Sequence, residues 1–544
     1  MKQIYKKLLA AALGVSMLLS MVGCGQSDTS EQTQTDSEQT QAANENEAKV
    51  LTIVTAKELD NLTTLTMNKE NNIACGLVYE TLVAYEDGEI VPELAEEWGW
   101  DETNTVLTFK LRQDVAFTDG AAFNAESVKE ILDFDRSNPN FSGIKGIYNI
   151  ESVEVVDEYT VAVHYAAPCF SYINDFCFQN VAGMMSPNVF EVENFQTFTD
   201  VVGTGPYIRE EMISGDCTRF VRNENYWGEA PYYDEVVIKY IPEASSRLQA
   251  LQTGEVDLIY GADLLSYDDY NQALSLDGIE GAINDGNTLT RNLVLNASSE
   301  ILSDLKVRQA IAYAVNKEEI TKGLTYGYET PATSLFAPGA PYTDITYNST
   351  WSYDLDKANA LLDEAGWVMN ESTGIREKDG QQLSLNYTYW TDLSLAQDMA
   401  LAIKTQLAEV GIDVTTTGQD QMTWWTEGVA GNYDITTWNT EGSYTEPHKF
   451  LQESLGADPH AISLQALEDF QSYSDAVNAF STSADPEVVQ SAIATALNVS
   501  NDNVIDLPIS YSKDLVVYNS SKIAGYTFSS VPQFFEIDNV QPAE

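Results

Sequence analysis

The chain has 544 residues, 44% of them hydrophobic and 10% aromatic, enough for a large core and, past residue 48, for about three units of ~150 residues. Asp and Glu number 83 against 28 Lys and Arg, and a formal net charge of −55 argues against a nucleic-acid partner. The acidic residues are spread along the chain rather than grouped in a metal-ligand spacing, so the charge reads as a solvated acidic surface.

Lys2, Lys6 and Lys7 precede an apolar run from Leu8 to Val22. That run is too short to span a bilayer and has the length of a secretion-signal core. It ends at Met21-Val22-Gly23-Cys24, which resembles the bacterial lipobox. The resemblance implies cleavage after residue 23, acylation of Cys24 and anchoring on the outer face of the membrane. Residues 24–48 carry almost no apolar side chains and are expected to form a disordered tether. No later stretch is long and apolar enough to cross a membrane. The four remaining cysteines, Cys75, Cys169, Cys177 and Cys217, permit three disulfide pairings outside the cell. Buried free thiols fit equally well, and the spacing matches no zinc knuckle.

Val106–Arg112 alternates Leu107, Phe109 and Leu111 with Thr108, Lys110 and Arg112, predicting a half-buried strand. Val153–Val155 and Tyr159–Tyr165 predict a hairpin turning at Asp157-Glu158. Leu355, Ala358, Leu362 and Ala365 share a helical face, with Asp354 as N-cap and Gly366 as stop. A second helix repeats Leu395, Met399, Ile403 and Leu407 and ends before Gly411, and a strand from Ile412 to Thr416 follows at once. Helix running directly into strand predicts an α/β fold.

Eight segments then fall in a recognisable order. They are Leu77-Val78-Tyr79-Glu80-Thr81-Leu82, Val91-Pro92-Glu93-Leu94-Ala95-Glu96-Glu97-Trp98, Leu107–Arg112, Val115-Ala116-Phe117-Thr118-Asp119-Gly120, Gly203-Thr204-Gly205-Pro206-Tyr207, Arg222-Asn223-Glu224-Asn225-Tyr226-Trp227-Gly228, Gly254-Glu255-Val256-Asp257-Leu258 and Val307–Ala314. Together they resemble the extracellular solute-binding proteins of family 5, the peptide, opine and nickel receptors of ABC importers. The resemblance implies a type II periplasmic-binding-protein clamp, cluster C-like, with two α/β lobes and an extra third domain. Domain I would comprise residues 49–80, 201–292 and 506–544, domain II 81–200, and domain III, the second lobe, 293–505. It implies a monomeric receptor with no catalytic residues and no cofactor. The receptor would take a small solute and deliver it to permease subunits. The competing class, a secreted hydrolase, finds no nucleophile elbow, zinc-binding histidine pair or phosphate loop in the sequence. The Gly203-Gly205-Pro206 turn and the Tyr226-Trp227 pair read as packing elements.

Finer features resemble the nickel branch: Leu335–Tyr342, Ile375–Gly380 and, above all, Glu446-Pro447-His448. In that branch a histidine after such a proline implies an imidazole donor to a nickel chelate, which assigns the metal to His448. Neutral imidazole suits Ni(II), and protonation near the ordinary pKa of ~6.5 would remove the donor. His164 lies on the polar face of a strand and His460 in a loop-like stretch, so neither adds a ligand. A metal would therefore arrive already chelated. The domain II arginine that would grip chelator carboxylates is missing, and Asn180 is its nearest counterpart. The alternative is a di- or oligopeptide. An aspartate that holds the peptide amine in dipeptide receptors corresponds here to Ser443, with Glu441 close enough to substitute. Trp424, Trp425, Trp438 and Tyr444 lie nearby in sequence and could wall an organic ligand.

Overall fold

The computed structural model describes residues 48–59, 62, 71–86, 88–190, 200–261, 264–441, 447–456, 458–529 and 535–543. The signal segment, Cys24 and the tether lie outside them. No described helix is long and apolar enough to cross a membrane.

Three sheets carry the fold. A seven-stranded sheet runs in the order Ile279–Ile283, Leu515–Asn519, Leu258–Tyr260, Val50–Thr55, Glu235–Tyr240, Cys217–Arg222, Tyr207–Ile213. Its centre is parallel, Val50–Thr55 lying between Glu235–Tyr240 and Leu258–Tyr260. A six-stranded sheet runs Thr330–Pro331, Asp506–Tyr511, Thr290–Leu295, Ile435–Asn439, Ser384–Trp390, Asp413–Gln419. Here Ser384–Trp390 is parallel to both of its neighbours. A four-stranded antiparallel sheet is built wholly from residues 95–165. The helix Ala125–Asp135 carries buried Val128, Ile131 and Leu132 into the same core as this sheet.

Local chemistry explains these elements. Leu107, Phe109 and Leu111 are buried while Lys110 between them is exposed, as the alternation predicts. The hairpin forms from Ile150–Asp157 and Thr160–Tyr165. The helix Leu355–Glu364 starts at Asp354, whose side chain accepts the Lys357 N–H, and stops at Gly366 with φ 88°. The helix Ala396–Ala408 and the strand Asp413–Gln419 follow in the predicted order. No disulfide joins Cys75, Cys169, Cys177 and Cys217, and the first three are buried.

The chain passes from the seven-stranded to the six-stranded sheet between Ile283 and Thr290, and returns between Tyr511 and Leu515. The two crossings are bonded to each other. The Asn284 N–H donates to the Asp514 carbonyl at 3.0 Å, Thr288 N–H to Ser512 at 3.0 Å and Ser512 N–H to Leu289 at 2.8 Å. Lys513 Nζ closes them by donating to the carbonyls of Asp285 (2.7 Å) and Gly286 (2.8 Å). Of the boundaries the resemblance implies, 292/293 lies inside Thr290–Leu295 and 505/506 directly before Asp506–Tyr511, and these two strands pair with each other in the six-stranded sheet.

Candidate ligand cleft

Both large sheets turn the carboxyl ends of their parallel strands toward the crossings. In the first, the Gly261 N–H donates to the carbonyl of Leu515, where the returning crossing ends, at 2.8 Å. In the second, the Thr440 N–H donates to the Thr290 carbonyl at 3.0 Å, and Thr440 Oγ1 accepts the Thr290 N–H at 2.9 Å. The end of Ile435–Asn439 therefore meets the start of Thr290–Leu295, directly after the crossing. Trp390 and Gln419, register partners at the ends of two strands parallel to it, share that edge. Ligands of open α/β sheets bind outside the carboxyl ends of strands, which places the cleft here.

Four indoles gather at this edge. Trp438 lies on the strand Ile435–Asn439, and Trp424 and Trp425 on the helix Gln421–Val429. Ring centroids are 5.3 Å apart for Trp424–Trp438, 6.3 Å for Trp425–Trp438 and 6.4 Å for Trp390–Trp424. Trp424 Nε1 donates to Thr436 Oγ1 at 2.9 Å, while Trp425 is exposed. Sequence reading found three of the four. Trp390 sits 34 residues before Trp424, and only the strand pairing brings it in. Trp390 Nε1 and Gln419 Oε1 are buried without a hydrogen-bond partner.

Beyond the strand, Glu441 accepts two hydrogen bonds from Lys449 Nζ, at 2.6 and 2.7 Å, and Glu453 stands 3.7 Å from the same ammonium. Burial works against the Lys449 charge, but Glu441 and Glu453 outweigh it and raise its pKa. Burial raises Glu453 and lifts Asp175 to about 7, in spite of the Gly146 N–H that Asp175 accepts at 2.6 Å. His448 opens the helix His448–Glu453 and is 3% exposed, its ring edge-on to Phe170 at 5.6 Å. Burial, with the neighbouring Lys449 adding to it, depresses its pKa to about 3. The imidazole therefore stays neutral throughout the ordinary range, which corrects the expectation of titration near pH 6.5. Its Nε2 is buried without a hydrogen-bond partner.

The other assigned residues separate. Ser443 and Tyr444 lie outside the described residues. Asn180 is buried against the helix Asn72–Val78, its Nδ2 donating to Asn72 Oδ1 at 2.8 Å. His164 pairs with Glu154 at 3.2 Å on the small sheet. His460 is not in a loop: Pro459 starts a helix, and His460 Nε2 lies 2.7 Å from Asp506 Oδ2 in the core. Among the described residues, no three His, Cys, Asp or Glu side chains gather into a metal cluster. An open cavity of about 420 Å³ lies between Lys145, Asn149 and Tyr172 on one side and Gln452, Asn478 and Ser481 on the other.

Two α/β bodies joined by paired crossings, with strand ends converging on the space between them, define a hinged solute receptor. The comparisons make this specific: the chain belongs to the bacterial extracellular solute-binding proteins, family 5, whose model matches residues 89–460. It is 28% identical over 482 residues to the nickel-binding periplasmic protein of Escherichia coli strain K12, covering 87% of this chain and 90% of that one. It is 30% identical over 340 residues to the glutathione-binding protein GsiB of Salmonella typhi, covering 61% and 62% of the two chains. The crystal structure of NikA from Brucella suis in complex with Fe(III)-EDTA superposes with a TM-score of 0.86 at 28% identity, over 91% of this chain and all of that one. The protein is thus an extracytoplasmic solute receptor of an ABC importer and not an enzyme.

Proposed function

We propose that the solute is a chelated metal ion of the nickel class, and that His448 fills the coordination position its chelator leaves open. The observation that carries this reading is the His448 Nε2: buried and unpartnered on an imidazole held neutral, it offers a lone pair in the tautomer that keeps the proton on Nδ1, and protonation does not compete. A bare ion would need several such donors, so the chelator brings the rest. We further propose that the bodies on either side of the crossings act as the lobes, that the receptor is a monomer, and that acylated Cys24 tethers it to the membrane.

Titration calorimetry with nickel–histidine complexes tests the ligand. His448→Ala should weaken binding strongly, beyond what its buried cavity costs the fold; equal affinity in both proteins sinks the metal reading. Cys24→Ser should move the protein from the detergent phase to the medium.

A peptide is the second reading, and the four-indole wall favours it, because it suits an organic body. Against it, Glu441 is already paired with the Lys449 ammonium, for which a peptide amine would have to compete. Peptide binding abolished by Glu441→Ala, with no response to metal, would select it.

A further inference from the structure

A loop from Ala166 to Ser171 joins the strand Thr160–Tyr165 to the 3-10 helix Tyr172–Cys177. Its base is fixed by buried Cys169 and Ser171, whose Sγ and Oγ lie 3.3 Å apart. Between them Phe170 leaves its own body. Its ring stands edge-on to Tyr342 at 5.0 Å, to His448 at 5.6 Å and to Phe480 at 6.4 Å, with interplanar angles of 74°, 77° and 72°. Its N–H donates to the Ser483 carbonyl at 3.0 Å. Among the described residues, Phe170 alone packs on both the core around the four-stranded sheet and the core around the helices Phe470–Ser481 and Pro486–Asp502. Near it the two bodies meet through polar groups: a Cβ added to Gly143 would lie 3.0 Å from Glu453 Oε1.

We infer that Phe170 is the pin of the clamp: its ring seats between Tyr342, His448 and Phe480 when the bodies close, and in that seat it positions the His448 imidazole. Separating the bodies withdraws the ring into water and breaks the hydrogen bond to Ser483. The ring therefore favours the closed form by an apolar contact that salt does not screen. Since Nε2 makes no hydrogen bond, aromatic contact is what the structure offers to orient that edge of His448. The closing role stands without any ligand; the positioning role rests on His448 as the proposed donor.

The test uses the full chain without ligand. Phe170→Ala should enlarge the radius of gyration in small-angle scattering. It should also change the ¹H–¹⁵N NMR shifts of the His448 imidazole at one fixed pH, because the Phe170 ring stands edge-on to it. Phe170→Tyr, which keeps the ring, should restore both, and Phe170→Leu replaces the alanine variant if that fails to fold. An unchanged radius in the folded variant overturns the pin. Nickel–histidine release, measured in the same variants, should quicken roughly tenfold or more. If release is unchanged while both ligand-free signals move, the pin stands and the donor role of His448 falls.

Discussion

His448→Phe isolates the protonation of one buried group. In the folded chain burial holds His448 at about 3, whereas the unfolded chain binds the proton at ~6.5. Between those values the unfolded state carries more protons, so wild-type stability falls as pH falls, by ~1.4 kcal/mol per unit for this group. From pH 7.5 to 4.5 the loss attributable to His448 is ~3 kcal/mol, beginning near pH 6.5. Phenylalanine fills the same space beside Phe170, does not titrate and leaves no buried Nε2. Urea unfolding of both proteins at half-unit pH steps gives the difference in stability, in which His460 and the carboxylates cancel. That difference should widen in favour of the variant by ~3 kcal/mol across the range. A difference that stays flat refutes the claim that His448 is buried and neutral, and with it the free lone pair on which the metal reading rests.

Asp175→Asn should act in the opposite pH direction. Burial raises the folded pKa of Asp175 to about 7, so its contribution is present below the ordinary carboxylate range and is lost as pH rises toward 7. The asparagine variant should lack that decline, seen as a difference in urea midpoint between variant and wild type that moves in favour of the variant as pH rises from 4 to 7.5. Gly203→Ala should be severe, since an added Cβ would overlap the Val78 carbonyl oxygen and stand 2.7 Å from Tyr79 Cδ1. A loss of ~2 kcal/mol or more is expected by calorimetry. A loss below ~0.5 kcal/mol would show that the 78–79 segment can move aside.

Elements whose physics is local were legible from sequence. Leu107, Phe109 and Leu111 needed only alternation, and Asp354 and Gly366 only helix-end chemistry. The eight ordered segments led to the family. What failed depended on contacts distant along the chain. His460 looked like loop because Asp458-Pro459 breaks a helical pattern, yet proline at the first helical position is compatible with a helix, and Asp506, 46 residues away, buries it. Glu441, assigned from sequence to a peptide amine, is paired with Lys449 only eight residues on, a local contact that no pattern marks. Exposed glutamate is the commoner case, and no pattern announces a buried ammonium. Phe170 and Trp390 carried no signal, being single aromatics whose role comes from what another body or strand brings to them.

The contacts at the crossings indicate where motion can occur. On the second-body side, Arg291 Nε donates to Glu329 at 2.9 and 3.2 Å, with both side chains nearly excluded from water. Ser510 Oγ donates to the same carboxylate at 2.5 Å and Tyr267 Oη at 2.9 Å. Leaving one member of such a buried pair alone is strongly unfavourable, so the pair should move as a unit. Tyr267 belongs to the helix Tyr267–Ala273 of the first body, and Asn271 of the same helix accepts from Tyr328 Oη at 2.9 Å. These hydroxyl bonds hold the bodies together beside the crossings, while the Phe170 contact holds them near His448. The paired crossings, residues 284–289 and 512–514, are the chain segments about which rotation would release the Phe170 contact. Among the described residues, closure near His448 then draws on the Phe170 ring, seated on Tyr342, His448 and Phe480, and on its backbone hydrogen bond to Ser483. An opposition that small is what a solute must shift if its differential affinity for the closed form is to decide the population.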